Sequence, residues 1–150
     1  MRDIDKLEAT PLDGTSDADD PFWSPDGQWI GFYQENKLKK VSVTGGAPLT
    51  LCDAQGAHRG ATWGDDGVIV FAPSTTTGLM RVLSSGGKSE ELTKPDRENK
   101  ERSHRWPFFL PGSKYVLFTE QTQGNDFDDA SIEALNMETK ERTIVHRGGA

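Results

Sequence analysis

Basic charge is in short supply. The 150-residue chain carries 17 Lys and Arg against 24 Asp and Glu, a formal net charge of −7. Phosphate backbones need the opposite, so nucleic acid is excluded as a partner class. Cysteine is scarcer still. Cys52 alone allows no intramolecular disulfide and has no second thiolate for a metal; it reads as a small, half-buried apolar residue rather than a nucleophile. Long apolar runs are missing too, and none approaches the roughly 18 residues that cross a bilayer. The opening MRDIDKLEATPLDG is charged and has no signal-peptide core. A soluble segment without membrane contact is expected, and its compartment stays open.

What the chain does have is turn chemistry. It contains 16 Gly and 8 Pro with 33% hydrophobic residues, a mixture that suits many short strands better than long helices. Three segments align: FWSPDGQWIGF from Phe22, TWGDDGVIVF from Thr62 and FFLPGSKYVLF from Phe108. Each runs from an aromatic through a Pro/Asp/Gly turn into a β-rich run ending in Phe. Trp23, Trp63 and Phe109 correspond, at separations of 40 and 46 residues by subtraction, the spacing of one propeller blade per repeat.

The remainder of each unit repeats as well. Lys37–Val43 leads to Gly45-Gly46, Leu79–Leu83 to Gly86-Gly87, and Ile132–Met137 to Glu138-Thr139-Lys140, each a hairpin turn. Short closing strands follow at Pro48–Leu51, Glu90–Thr93 and Arg142–Val145. The Pro25-Asp26-Gly27 type of turn needs only a preset φ, a backbone-bonding carboxylate and a left-handed glycine. It lacks the ligand spacing and terminal Glu of a calcium loop.

The expected fold is all-β: a β-propeller of four-stranded antiparallel blades, three per chain. Residues 16–53, 54–96 and 97–146 are the expected blades; 1–15 is a closing strand (Lys6–Leu12) of a preceding or partner blade, and 147–150 begins a missing one. Three blades do not close a ring, for which about four to eight are typical. Their end faces should be apolar and drive association. The expected partner is therefore the chain itself, a homodimer closing a six-bladed ring with two-fold symmetry. Another protein or a small ligand is the further partner class.

Phe22-Trp-Ser-Pro-Asp-Gly27 with downstream Gly-Gly hairpins resembles the TolB-like β-propeller repeats. Adding Lys37-Leu-Lys-Lys-Val41, Leu51-Cys-Asp53 and Ser103-His-Arg-Trp-Pro107, the chain looks like the propeller that lies C-terminal in bacterial membrane-bound serine/threonine kinases. The resemblance implies a sensor or interaction module. It brings no kinase activity: there is no phosphate loop with its strand lysine and no DFG, and His104-Arg105-Trp106 has Trp where the HRD aspartate would stand.

Candidate site residues come from the histidines. All three are followed by arginine: His58-Arg59, His104-Arg105 and His146-Arg147. The first two lie five residues before Trp63 and Phe109, by subtraction, where the chain leads into a blade. Together with Trp106 they are expected at a channel rim, with ligand capture or inter-blade pairing as their roles. No catalytic residue and no cofactor is expected. The enzymatic alternative is a propeller-type carbohydrate-active lyase or hydrolase with a metal at channel histidines; a structural scaffold is the other. No G-x-S-x-G elbow supports a serine hydrolase. Asp13–Asp20, Asn125–Asp129 and Lys94–Arg105 read as charged surface loops, with calcium an alternative for the acidic pair.

Overall fold

The computed structural model describes residues 9–124 and 127–148. They form three four-stranded antiparallel sheets, each a simple meander. The first holds β1 (Asp19–Trp23), β2 (Trp29–Gln34), β3 (Lys37–Ser42) and β4 (Leu49–Asp53). The second holds β5 (Ala61–Trp63), β6 (Val68–Phe71), β7 (Met80–Leu83) and β8 (Glu90–Glu91). The third holds β9 (Glu101–Phe109), β10 (Tyr115–Thr122), β11 (Ser131–Asn136) and β12 (Arg142–Arg147), with one 3-10 turn at Phe127–Asp129. The first strands lie side by side, β1 against β5 and β5 against β9, so they are the inner strands of a propeller arc.

The turns after the inner strands form as their residues dictate. Gly27 N–H bonds the Ser24 carbonyl and Gly67 N–H the Gly64 carbonyl, with φ of 68° and 78°. In the first, Ser24 Oγ donates to Asp26 Oδ1 at 2.6 Å, which also accepts the Gln28 N–H. That hydroxyl bond first, and the amide second, hold the Asp26 carboxyl below its ordinary range.

Packing occurs between sheets. Phe22, Tyr33, Leu38, Leu51 and Cys52 meet Ile69, Phe71 and Val82 across the first seam. Val70, Ala72 and Leu79 meet Phe109, Val116, Phe118 and Leu135 across the second. Gly31 is required by this packing: a Cβ there would lie 2.2 Å from the Phe22 ring. Cys52 is buried, and desolvation pushes its thiol up to about 11, so it stays protonated and inert.

The seams follow one rule. Phe22 and Thr62 point forward to the next sheet, Trp63 and Phe109 back to the previous one. Phe22 therefore meets Trp63, with ring centroids 6.3 Å apart, and Thr62 Oγ1 accepts the Phe109 N–H. The same positions at the two ends are Trp23 and Phe108, which are 54% and 63% exposed.

The closing strand expected at Lys6–Leu12 falls partly outside the described residues, and residues 9–18 contain no strand. The start of a further blade at 147–150 likewise lies partly outside them. The leading face of the first sheet is not simply bare, since Phe32 and Val41 on it are buried. Gln34 Nε2 there donates to the carbonyls of Gly14 and Ser16. Lys94–Arg105 is not all loop either: β9 begins at Glu101, and Ser103, His104 and Arg105 are buried.

Candidate functional site

Each inner strand has a residue with left-handed φ at one matching position. These are Asp20 at 47°, Gly60 at 85° and Trp106 at 48°. They stand at matching positions, three residues before Trp23, Trp63 and Phe109. Glycine takes such a φ without strain and aspartate tolerates it, whereas tryptophan does not. In β1 and β9 the residue marks a bulge in the ladder to β2 and β10, a device that re-aims side chains.

Trp106 is 45% exposed. Its N–H donates to the Arg59 carbonyl at 2.8 Å, which ties the two lead-ins together. Beside it lies Arg105, only 7% exposed. Arg105 Nε donates to Ser103 Oγ at 2.7 Å and one terminal nitrogen to the Thr75 carbonyl at 3.3 Å. Burial foremost, then the positive charges of Arg59 and Arg102, depress its proton affinity. Arg59 itself is half-buried and turns one terminal nitrogen back to the His58 carbonyl.

His58 sits at the other seam. Its Nδ1 lies 2.9 Å from Asp20 Oδ2, and its ring stacks on Tyr33 at 4.0 Å and 5°. Tyr33 donates its hydroxyl to the Gly60 carbonyl; burial, with Asp20 second, pushes its phenol up. His58, Arg59, Arg105 and Trp106 are thus joined along the inner strands by direct bonds and neighbour contacts.

His104 does something else. It is 0% exposed and bonded at both ring nitrogens, Nε2 to Glu101 Oε2 at 3.0 Å and Nδ1 to Thr93 Oγ1 at 2.6 Å. A carboxylate only accepts, so Nε2 carries the proton and Nδ1 accepts from the threonine. Thr93 Oγ1 in turn accepts the Leu79 N–H. Desolvation first, against the pull of Glu101, keeps the imidazole below its ordinary range and neutral.

Behind it, Arg142 bridges Glu101 at 2.7 Å and Glu133 at 2.7 Å. Glu120 shares this interior. Its Oε2 accepts from Ser131, its Oε1 has no partner among the described residues, and burial raises its pKa. Sequence reasoning missed this polar interior. A signal existed: Ser131 and Glu133 alternate with Ile132 on the same inward face as Leu135, and a polar residue at a core position of a strand needs a partner.

His146 and Arg147 belong to β12, the outermost strand, where both are exposed. The three His-Arg pairs therefore occupy three settings: a seam lead-in, a buried node and an outer edge. Among the described residues no three His, Cys, Asp or Glu side chains are grouped to hold a metal.

No family model matches the chain, and no curated protein does. Solved structures do. A protein assigned as TolB from Agrobacterium tumefaciens matches with a TM-score of 0.69 at 19% identity, over 85% of this chain and 49% of that one. TolB from Acinetobacter baumannii matches at 0.70 and 14%, over 87% of this chain and 33% of that one. Regucalcin from A. tumefaciens, a calcium-binding protein, matches at 0.60 and 12%, over 87% and 43%. The chain thus spans about half of the first and a third of the second. At these identities the likeness shows the fold, a TolB-like β-propeller arc of three four-stranded blades.

Proposed function

We propose that this chain is a non-catalytic binding module that presents a rim of inner-strand residues to a protein or small ligand. One observation carries the reading: an exposed indole, Trp106, is held at φ 48° where the preceding blade has glycine. Left-handed backbone costs an L-residue roughly 1–2 kcal/mol, and such strain is kept where a side chain has work to do. His58, Arg59 and Arg105 flank it. His104 supports the rim from inside, and His146-Arg147 lies apart from it. The metal-dependent enzyme reading loses ground with the dispersal of the histidines. Association with a receptor kinase is part of the proposal and rests on sequence resemblance alone.

Trp106→Gly separates this reading from a packing role. If the indole serves binding, relief of strain offsets its lost contacts, and unfolding free energy changes by no more than about 1 kcal/mol. A packing role predicts the about 3 kcal/mol or more of a core aromatic deletion, and that result in chemical denaturation would refute the proposal.

The seam rule supports a partner as well. Phe108 is the forward residue of the last blade and Trp23 the backward residue of the first, and both are exposed. A second copy brings its Trp23 to Phe108 as Trp63 meets Phe22, at both junctions of a two-fold six-bladed ring. Light scattering is expected to give the mass of two chains, and Trp23→Asp that of one. A single-chain mass for the unaltered protein at tens of micromolar sinks this part.

A further inference from the structure

The rim contains a buried cation with no anion. Arg105 is more than nine-tenths buried, yet among the described residues no carboxylate pairs with it. Its two partners are a serine hydroxyl and a backbone carbonyl, and the charges that act on it are Arg59 and Arg102. Every other well-buried charged group has a different solution. Glu133 has Arg142, and Glu120 has Ser131 and a raised pKa. A guanidinium cannot take the proton-loss route, because it stays charged at any ordinary pH. Burying it unpaired is costly.

We infer that Arg105, with Arg59, is an oxyanion site that takes a carboxylate or phosphate group of the ligand. The inference rests on the proposed rim and names its ligand class. Two features favour an oxyanion over a neutral group. The guanidinium edge is pre-set: Nε is held by Ser103 and one terminal nitrogen by Thr75, which fixes the plane, and its remaining N–H groups donate to no acceptor among the described residues. A neighbouring arginine across the lead-in adds field of the same sign, which repels a cation and leaves a neutral ligand no advantage. Trp106, whose ring centroid lies 6.0 Å from the Arg105 guanidinium carbon, places an apolar surface beside that guanidinium and lowers the local dielectric.

The test uses inorganic phosphate and acetate as separate probes of the whole chain, followed by 15N NMR of the arginine Nε–H groups at constant ionic strength set with chloride. A saturable shift of the Arg105 signal, weakened roughly tenfold in Arg59→Gln, is expected. Arg105→Lys, which keeps the charge but loses the fork, identifies the signal and should abolish the shift. Saturation by phosphate alone assigns a phosphoryl ligand, and saturation by acetate assigns a carboxylate. A linear shift, or one unchanged in Arg59→Gln, overturns the inference. So does saturation confined to Arg147 at the edge strand. Failure of the anion titration with a Trp106→Gly result still below about 1 kcal/mol leaves the rim standing and removes only its charge preference.

Discussion

Arg142→Met is expected to destabilise the third blade by about 3 kcal/mol at neutral pH. Removing one partner of a buried ion pair costs about 3–5 kcal/mol because the other charge is stranded. Here two carboxylates are stranded, Glu101 and Glu133, but about a quarter of the arginine side chain is exposed, which favours the low end. Arg142 also joins strands far apart in sequence, since Glu101 begins β9 and Arg142 begins β12. Its loss therefore loosens the outermost strand as well as the interior. Methionine keeps an unbranched apolar stem but loses the guanidinium that lies over Phe118, with its carbon 5.6 Å from the ring centroid.

The pH dependence identifies the cause. Burial alone would raise the Glu101 pKa, but the bonds from Arg142, the Asp96 N–H and His104 hold it below its ordinary 4.5. A depressed carboxyl stabilises fully above its unfolded value and loses that contribution as pH falls through the folded one. The wild-type advantage is thus full at pH 7 and shrinks as pH falls, first as the unpaired carboxyls of the variant take up protons and finally as Glu101 of the wild type does so below 4.5. Urea unfolding at pH 7 and at about pH 3 reads this directly. Adding Glu101→Gln and Glu133→Gln to Arg142→Met should restore much of the loss at pH 7, because neutral groups need no counter-charge. A penalty of equal size at both pH values, unrelieved in the triple variant, would mean that the arginine acts through its stem.

Much of the fold was legible because it is written locally. Pro25-Asp26-Gly27 and Asp65-Asp66-Gly67 turn the chain by their own backbone preferences, and Trp23, Trp63 and Phe109 mark the same place in three units. The Glu101–Arg142–Glu133 interior was illegible for the opposite reason. Its members are 41 and 9 residues apart, and each looks like an ordinary surface charge until the strands are stacked. The His-Arg repetition was visible but misleading, because its third copy falls in an outer strand rather than a lead-in. The more informative pattern at the inner-strand entrances was the residue three before each inner aromatic. Asp20, Gly60 and Trp106 share a backbone conformation that no side-chain comparison reveals.

Gly78→Ala is the second large effect, and its origin is space rather than backbone freedom. A Cβ at Gly78 would lie 1.9 Å from the Thr93 carbonyl oxygen and 2.6 Å from its carbon. Backbone cannot swing aside as a side chain does, so the segment carrying Thr93 must move. Thr93 is also the node between two blades: its hydroxyl accepts from Leu79 N–H and donates to His104. Moving it breaks the chain of bonds that runs through His104 to Glu101 and Arg142. A loss of about 3 kcal/mol is expected, the upper range of overpacking. Gly112→Ala is the control. It has φ 86° with nothing within 4 Å of an added Cβ, so it bears only left-handed strain of roughly 1 kcal/mol. The two differ in a second readout. The His104 ring signals in a 15N spectrum should report loss of the Nδ1 acceptor bond in Gly78→Ala and stay unchanged in Gly112→Ala. Equal losses for the two variants, with His104 undisturbed in both, would show that the close approach of Gly78 to Thr93 does not position the hydroxyl that joins the second blade to His104 of the third.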